Sequence, residues 1–425
     1  MDREEEFAEY VNALAQTLGH ADRVGPLGDY CRGLMLSGER KSVEPMAALV
    51  APRRASAKHQ SLHHFVAKAE WSDTQMLSAV RRAVLPSLGS IEAWIVDDTG
   101  YPKKGKHSVG VARQYCGQLG KQDNCQVAVS LSVANERASL PIDYRLYLPR
   151  EWAEDPKRLR KAEVPAEVAF ATKVQLALEQ LKRARCEQVP AGVVLSDAGY
   201  GNDADFRDGI SALGLTYALG IQGSTTVWAQ GHEPLPPRGQ WGRGRPGTHL
   251  RRDRTHQPID VKSLAHELPG RAWRGVQWRE GSAGALASRF ARVRVRAAHR
   301  NEVRSEEWLV IEWPLGETEP TKYWLSTLPQ SIAFKELVRL IKLRWRIERD
   351  YQELKQELGL GHYEGRNWRG FHHHATLTIA AYGFLMRARL TGRSKKNAAI
   401  RATDIPLRRP PRPKNFIPRG SPRAP

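Results

Sequence analysis

Three stretches of the sequence hold carboxylates where chemistry could use them: Asp97 and Asp98 behind the apolar run WIV, Asp197 behind VVLS, and Glu348 inside WRIERDYQELK. Strand ends in an α/β sheet hold side chains rigidly and leave them open at the sheet edge, where ligands usually bind. Carboxylates from three separate elements suit a pair of hard cations, because Mg²⁺ takes oxygen ligands and keeps waters or phosphate oxygens in its shell. Two such ions on a phosphodiester activate the attacking oxygen and stabilise the leaving one. Taken singly, each acid also reads as a helix cap or a surface ion pair, so the combination carries the argument. Alternation along a strand sends Asp97 and Asp98 to opposite faces, so only one of them can join the other acids.

Several basic residues lie close to these acids. Lys103, Lys104 and Lys106 follow Asp98 in one loop and could hold phosphates, or simply be solvated. Arg344, Glu348 and Lys355 stand at i, i+4 and i+11, close to one helical face, where the two cations could hold backbone phosphates. An ion pair between Arg344 and Glu348 is the competing account. In ARVRVRA the period of two puts Arg292, Arg294 and Arg296 on one face, either solvated or turned to DNA. His372, His373 and His374 suggest a metal, but neighbours on a helix point in different directions. Seven of the twelve tryptophans fall between Trp228 and Trp324; core packing accounts for most of them, with stacking on an unstacked base open to one.

These residues need elements to position them. Residues 1 to 88 read as a helical module, with helical spacing in FAEYVNALAQTL and MLSAVRRAVL, and its Arg53, Arg54, Lys58 and Lys68 could lie on DNA. From Ile91 the pattern turns to strands (IEAWIVDD, QVAVSLSVAN, IDYRLYLP), then a helix over about 166–186, the strand GVVLSD and a further helix. Residues 89–221 therefore predict the first part of a mixed α/β sheet flanked by helices. Residues 222–258 are rich in Gly, Pro and Arg and read as a long loop; strands resume at 273–279, 289–297, 308–313 and 322–327. A β-rich stretch over 222–321 thus interrupts the sheet, and 322–390 supply its remainder: one long helix over about 331–358 closed by Gly359, then an apolar helix over 371–390. The tail from Arg393 to Pro425 carries ten Lys and Arg against one Asp, the composition of a disordered basic arm.

Composition narrows the class. The chain has 425 residues, and 66 Lys and Arg against 46 Asp and Glu give it a formal charge of +20, as a surface that binds nucleic acid would. This charge disfavours a sugar hydrolase working with two acids. Four scattered cysteines without a CxxC pair indicate neither a zinc ribbon nor a disulfide framework and fit a reducing cytoplasm. The acidic start MDREEEF lacks a signal peptide's features, and the longest apolar stretch, Thr376 to Met386, is too short for a bilayer.

The order, spacing and neighbours of the acids resemble the DDE transposases, which share the RNase H-like fold. Within them the chain looks like the insertion-sequence branch with a β-rich insertion before the catalytic Glu, closest to the "seven-oh-one" family. The segments WIVDDTGYPKKGKHSVGVARQYCGQLGKQDNCQVAVSLSVAN, VLSDAGYGNDADFRDGI, KYWLSTLP and RWRIERDYQELKQELGLGHYEGRNWRGFHHH carry the likeness. The resemblance implies Asp98, Asp197 and Glu348 as metal ligands, with Asp97 the alternative to Asp98, and two Mg²⁺ ions with Mn²⁺ able to substitute. It implies cleavage of DNA at element ends and transfer of the freed strand into target DNA by a homodimer on the bacterial nucleoid. Double-stranded DNA, as terminal inverted repeats and as target, is the partner implied. Arg344 and Lys355 match the branch's pattern on the catalytic helix, but Ile341 stands where a Tyr is expected. The competing reading is a domesticated, inactive DNA-binding descendant of such an enzyme.

Overall fold

The computed structural model describes residues 2–237, 249–281, 284–299 and 302–392. The basic tail from Arg393 onward and residues 238–248 of the Gly/Pro/Arg passage lie outside the described residues.

Five helices open the chain: α1 (Arg3–Ala15), α2 (Val24–Met35), α3 (Val43–Val50), α4 (Ala55–Ala67) and α5 (Asp73–Leu88). In α1 the apolar residues Phe7, Tyr10, Val11 and Leu14 recur at i, i+3, i+4 and i+7, so one stripe must be covered. The cover comes from the other end of the chain, the helix Trp368–Thr391. Phe7 meets Phe384 with ring centroids 5.0 Å apart, and the Tyr10 hydroxyl donates to the Ala380 carbonyl at 2.9 Å. The amino-terminal helices and the carboxy-terminal helix therefore share one core.

Among the described residues, twelve strands form one sheet. They are β1 (Ala93–Pro102), β2 (Ala112–Cys116), β3 (Lys121–Ala134), β4 (Ser139–Leu146), β5 (Val193–Ser196), β6 (Tyr217–Ile221), β7 (Thr226–Ala229), β8 (Ile259–Asp260), β9 (Arg274–Gly281), β10 (Gly284–Ala297), β11 (Glu306–Trp313) and β12 (Lys322–Ser326). The order is β2-β3-β1-β5-β6-β12-β11-β10-β7-β8, with β4 also on β3 and β9 on β10. Antiparallel β1 and β3, followed by β5 and β6 parallel to β1, are the centre of the sheet. The strands of the β-rich stretch extend it through the antiparallel pairing of β12 with β6.

The remaining helices are α6 (Arg150–Ala153), α7 (Pro156–Lys161), α8 (Lys173–Cys186), α9 (Ala198–Gly201), α10 (Ala204–Ala212), α11 (Val261–Glu267), α12 (Phe334–Lys342), α13 (Trp345–Gln352) and the carboxy-terminal α14 (Trp368–Thr391). On one face of the sheet Ile95 and Leu195 pack with Leu337, Ile341 and Ile347 from α12 and α13. On the other, Trp94 and Val96 pack in the core that includes Ala177 and Leu181 of α8. The mixed α/β architecture expected from the sequence is the one observed.

Four local expectations change. Strand β1 does not end at the aspartates but continues to Pro102, because β3 supplies a partner for every residue from Ala93 to Pro102. The helix expected from about 166 begins only at Lys173, where Thr172 and Gln175 form a reciprocal cap. Strand β7 lies inside the stretch read as a loop. The single helix over 331–358 is broken: α12 stops at Lys342, α13 starts at Trp345, and Glu353–Glu357 form a π-turn. At the break, Leu343, Arg346 and Ile347 each bond three residues back, which tightens the turn around Arg344.

Candidate active site

The register of the two central parallel strands decides which aspartate faces the other acids. Ile95 pairs with Leu195, and both side chains lie in the core under α12 and α13. Two residues on, Asp97 and Asp197 continue that face. β5 ends at Ser196, so no parallel neighbour covers the position beside Asp97. Asp197 caps the short helix α9, its Oδ1 accepting the Gly199 amide at 2.9 Å, which leaves Oδ2 for other partners. Gly201 is required here, since a Cβ would fall 2.0 Å from the Gly220 carbonyl oxygen on β6.

Arg344, in the break between α12 and α13, joins the three acids. Its Nη2 donates to Asp97 Oδ2 at 3.0 Å and lies 3.8 Å from Asp197 Oδ2, and its Nη1 stands 3.4 Å from Glu348 Oε1. Burial works against the guanidinium charge, but the surrounding carboxylates outweigh it and hold its pKa above the usual value. Asp97 is the most enclosed of the acids. Burial pushes its carboxyl up to about 7, Asp197 and Asp98 push the same way, and Arg344 opposes them. Asp197 and Glu348 are open, their side chains 48% and 70% exposed.

Asp98 faces the other side of β1. Its Oδ2 accepts from Lys173 Nζ at 2.8 Å, at the start of α8, and from the Tyr200 hydroxyl at 3.4 Å. Thus the structure brings together Asp97, Asp197 and Glu348, and places Asp98 with Lys173. Nothing near either residue in sequence announces the Lys173 contact, which spans 75 positions.

The expected basic residues are distributed unevenly. Lys103 Nζ donates to the Tyr363 carbonyl at 3.0 Å, and burial lowers its pKa. Lys104 and Lys106 are exposed. The π-turn aims Lys355 at the end of β1: its Nζ donates to the Gly100 carbonyl at 2.8 Å and to Gln118 Oε1 at 3.3 Å, and burial lowers its pKa to about 8. The three strand arginines are half-buried and held within the protein. Arg292 donates to the Ile332 carbonyl at 2.7 Å and stacks on Trp308, Arg294 bonds the Glu306 carbonyl, and Arg296 donates to the Arg304 carbonyl at 2.9 Å. Of the amino-terminal cations, Lys58 pairs with Asp29 and Lys68 with Glu163, while Arg53 and Arg54 are exposed.

Beside Asp197 and Glu348 opens a cleft of about 440 Å³, walled by Trp278, Trp324 and Trp345 with Arg279 and Lys322. Arg279 lies over the Trp345 ring at 3.8 Å. Ile341, in place of the expected Tyr, is buried in the core and lines the cleft floor. Trp345 is a site residue that the sequence reading passes over, although its place three residues before Glu348 puts it on the neighbouring helical face.

The all-oxygen donor set of Asp97, Asp197 and Glu348 fits a hard divalent cation, and like charges gathered this closely call for a counterion. As the side chains stand, no three acidic, histidine or cysteine residues among the described residues are arranged to hold one ion. Arg344 supplies the positive charge instead.

The acids lie at the edge of a mixed sheet, and comparison with known proteins supplies the family. Residues 13–285 match the DDE superfamily endonuclease family, more than half of the chain, and the chain belongs to that family. The match includes Asp97, Asp98 and Asp197 and ends before Glu348. A segment of 192 residues, 44% of the chain, is 29% identical to the probable transposase for insertion sequence element IS701 of Microchaete diplosiphon. That segment spans about half of the relative, 46% of its length. No helix among the described residues is long and apolar enough to cross a membrane.

Proposed function

We propose that the chain is a DNA transposase that cuts one strand at each end of its element and joins the freed strand to target DNA. The observation that carries this reading is the convergence on Arg344 of carboxylates from three elements: β1, the turn after β5, and α13. Asp97, Asp197 and Glu348 are the ligands we assign, with Asp97 preferred to Asp98 on the register argument. When bound, two Mg²⁺ ions, or Mn²⁺ in their place, would supply Lewis acidity at the entering and leaving oxygens of a phosphodiester.

The protein's own part is to bind and orient. Asp197 is fixed by its capping bond and Asp97 by enclosure, whereas Glu348 is free to adjust. Arg344 neutralises the acids in this state and, once released from them, is placed to hold a phosphate oxygen. Water enters first, leaving a 3′-hydroxyl and a 5′-phosphate; that hydroxyl then attacks a target phosphodiester and displaces the target's own 3′-oxygen. The similarity to a probable transposase and the +20 charge support double-stranded DNA, as element ends and as target. Two ends must be held at once, which favours a homodimer on DNA.

The test is to incubate the protein with DNA bearing the element's terminal repeats, with and without Mg²⁺. We expect cleaved and joined products from wild type with Mg²⁺, and none from Asp97→Asn, Asp197→Asn or Glu348→Gln. Joining by any of these three variants at the wild-type rate would remove that residue from the set. An inactive wild type that still binds the repeats would point to a domesticated DNA-binding protein.

A further inference from the structure

We propose that the β2–β3 hairpin, with the loop before it, is a finger that grips duplex DNA flanking the carboxylates; this rests on the DNA reading above. The hairpin lies at one end of the strand order, and its four-residue turn, Gly117 to Gly120, carries Leu119 at 42% exposure. Tyr115 is 58% exposed, and Arg113, two residues earlier on the same face, is exposed as well. Lys121 opens β3 with a side chain 66% exposed. Lys104 and Lys106 stand beside them, because Lys103 donates its amide to the Asn124 carbonyl at 2.9 Å and Asn124 Nδ2 returns a bond to the Gly105 carbonyl at 3.0 Å.

The finger is stiff and aimed. Cys116 packs so closely on β1 that a Cβ at Gly100 would lie 2.8 Å from its sulfur. Lys355 bonds both Gly100 and Gln118 in the turn, which ties the tip to the helical segment that carries Glu348. Gly100 is three residues past Asp97, about 10 Å along a strand. The tip therefore lies within a duplex diameter of the acids.

Charge selects the occupant. Lys104, Lys106 and Arg113 accompany an exposed Tyr and Leu, and a fourth cation, Lys121, lies 3.5 Å from Asp123, the acid within the hairpin. Such a row of charge discourages strand pairing with another protein, whereas phosphates would neutralise it. An apolar tip between cations suits the groove of a duplex, where such side chains pack against sugars and base edges.

The test uses the full chain and a fluorescent 30-base-pair duplex of arbitrary sequence, with affinity measured across a salt series. For the variant Lys104→Gln, Lys106→Gln, Arg113→Gln, the slope of log affinity against log salt should fall by roughly 2 to 3, at about 0.9 for each phosphate no longer neutralised. Tyr115→Ala with Leu119→Ala should weaken binding several-fold and leave the slope unchanged, because an apolar contact releases no counterions. Lys182→Gln, exposed on α8, is the control for general charge loss and should leave the slope close to that of wild type. The proposal is overturned if both hairpin variants bind like wild type. It is also overturned if they bind DNA normally but turn a dimer into a monomer by light scattering, which would give the hairpin to a second copy of the chain. If wild type itself fails to bind duplex, the DNA reading falls and this inference with it.

Discussion

Two runs of neighbouring titratable side chains stand out, Asp97–Asp98 in a strand and His372–His374 in a helix, and the structure treats them in opposite ways. Each ring nitrogen of the histidine run faces a polar partner. His372 lies between the Trp368 carbonyl and the Leu146 amide, His373 between the Val66 and Trp71 carbonyls, and His374 between the Tyr30 hydroxyl and the Gly359 carbonyl. Burial lowers all three to a pKa of about 4, so they are neutral core residues, and a neutral His373 donates to only one of its two carbonyls. The aspartates are split by strand alternation, one into an ion pair with Lys173 and one into a cluster of like charge. Adjacency in sequence did not bring either run together; Asp97 meets Asp197 and Glu348, around Arg344, only through other elements.

The largest contrast should be within the aspartate pair. Asp97→Asn should cut strand cleavage by about a thousandfold or more, the scale of losing a group that stabilises the transition state, while Asp98→Asn should cost less than about tenfold. Equal losses would erase the distinction between the two faces of β1.

Acid should expose the histidine run next. A base with its folded pKa pressed below the unfolded value leaves the unfolded state holding more protons between the two, so stability is full above about 6.5 and falls as pH drops toward 4. Each histidine can contribute up to about 1.4 kcal/mol per pH unit in that window. Denaturant midpoints should therefore fall steeply from pH 7 to pH 5, and the triple substitution of His372, His373 and His374 by Gln should flatten that dependence.

A smaller effect separates the aspartates by sign. Removing Asp98 as Ala should cost about 1 kcal/mol, since its pair with Lys173 is partly exposed. Asp97 behaves in the opposite way: its carboxyl is raised from 3.8 to about 7, so between those values the folded state keeps a proton that the unfolded state has lost, and the stability this gives falls away as pH rises to about 7 and is gone above it. At pH 8 without divalent metal, Asp97→Asn should be at least as stable as wild type by urea unfolding, a stability cost that functional carboxylates commonly carry. The smallest effect concerns the histidines again: equimolar Zn²⁺ should move the melting temperature by less than about 1 °C, because all three rings are buried and point in different directions from the helix.

Legibility in the sequence follows locality. The strands β11 and β12 and the helix α14 can be read because period and apolar content sit within one window. The acids Asp197 and Glu348 can be nominated for the same reason. Strand β2 escapes such a reading because five residues of ARQYC between glycines carry little apolar signal; β3 makes them a strand. The break at Arg344 is equally hidden. The periodicity of 331–358 is unbroken, and the interruption coincides with Arg344 reaching Asp97, 247 positions away. The choice between Asp97 and Asp98 likewise depends on register with β5, which one chain segment read alone does not contain.

The central claim, that Asp97 and not Asp98 joins Asp197 and Glu348 in holding the metal, is tested most directly by counting bound Mn²⁺ by electron paramagnetic resonance at neutral pH. The account predicts that wild type and Asp98→Asn bind Mn²⁺ alike and that Asp97→Asn loses at least one ion. Loss of Mn²⁺ from Asp98→Asn with full retention by Asp97→Asn would contradict it.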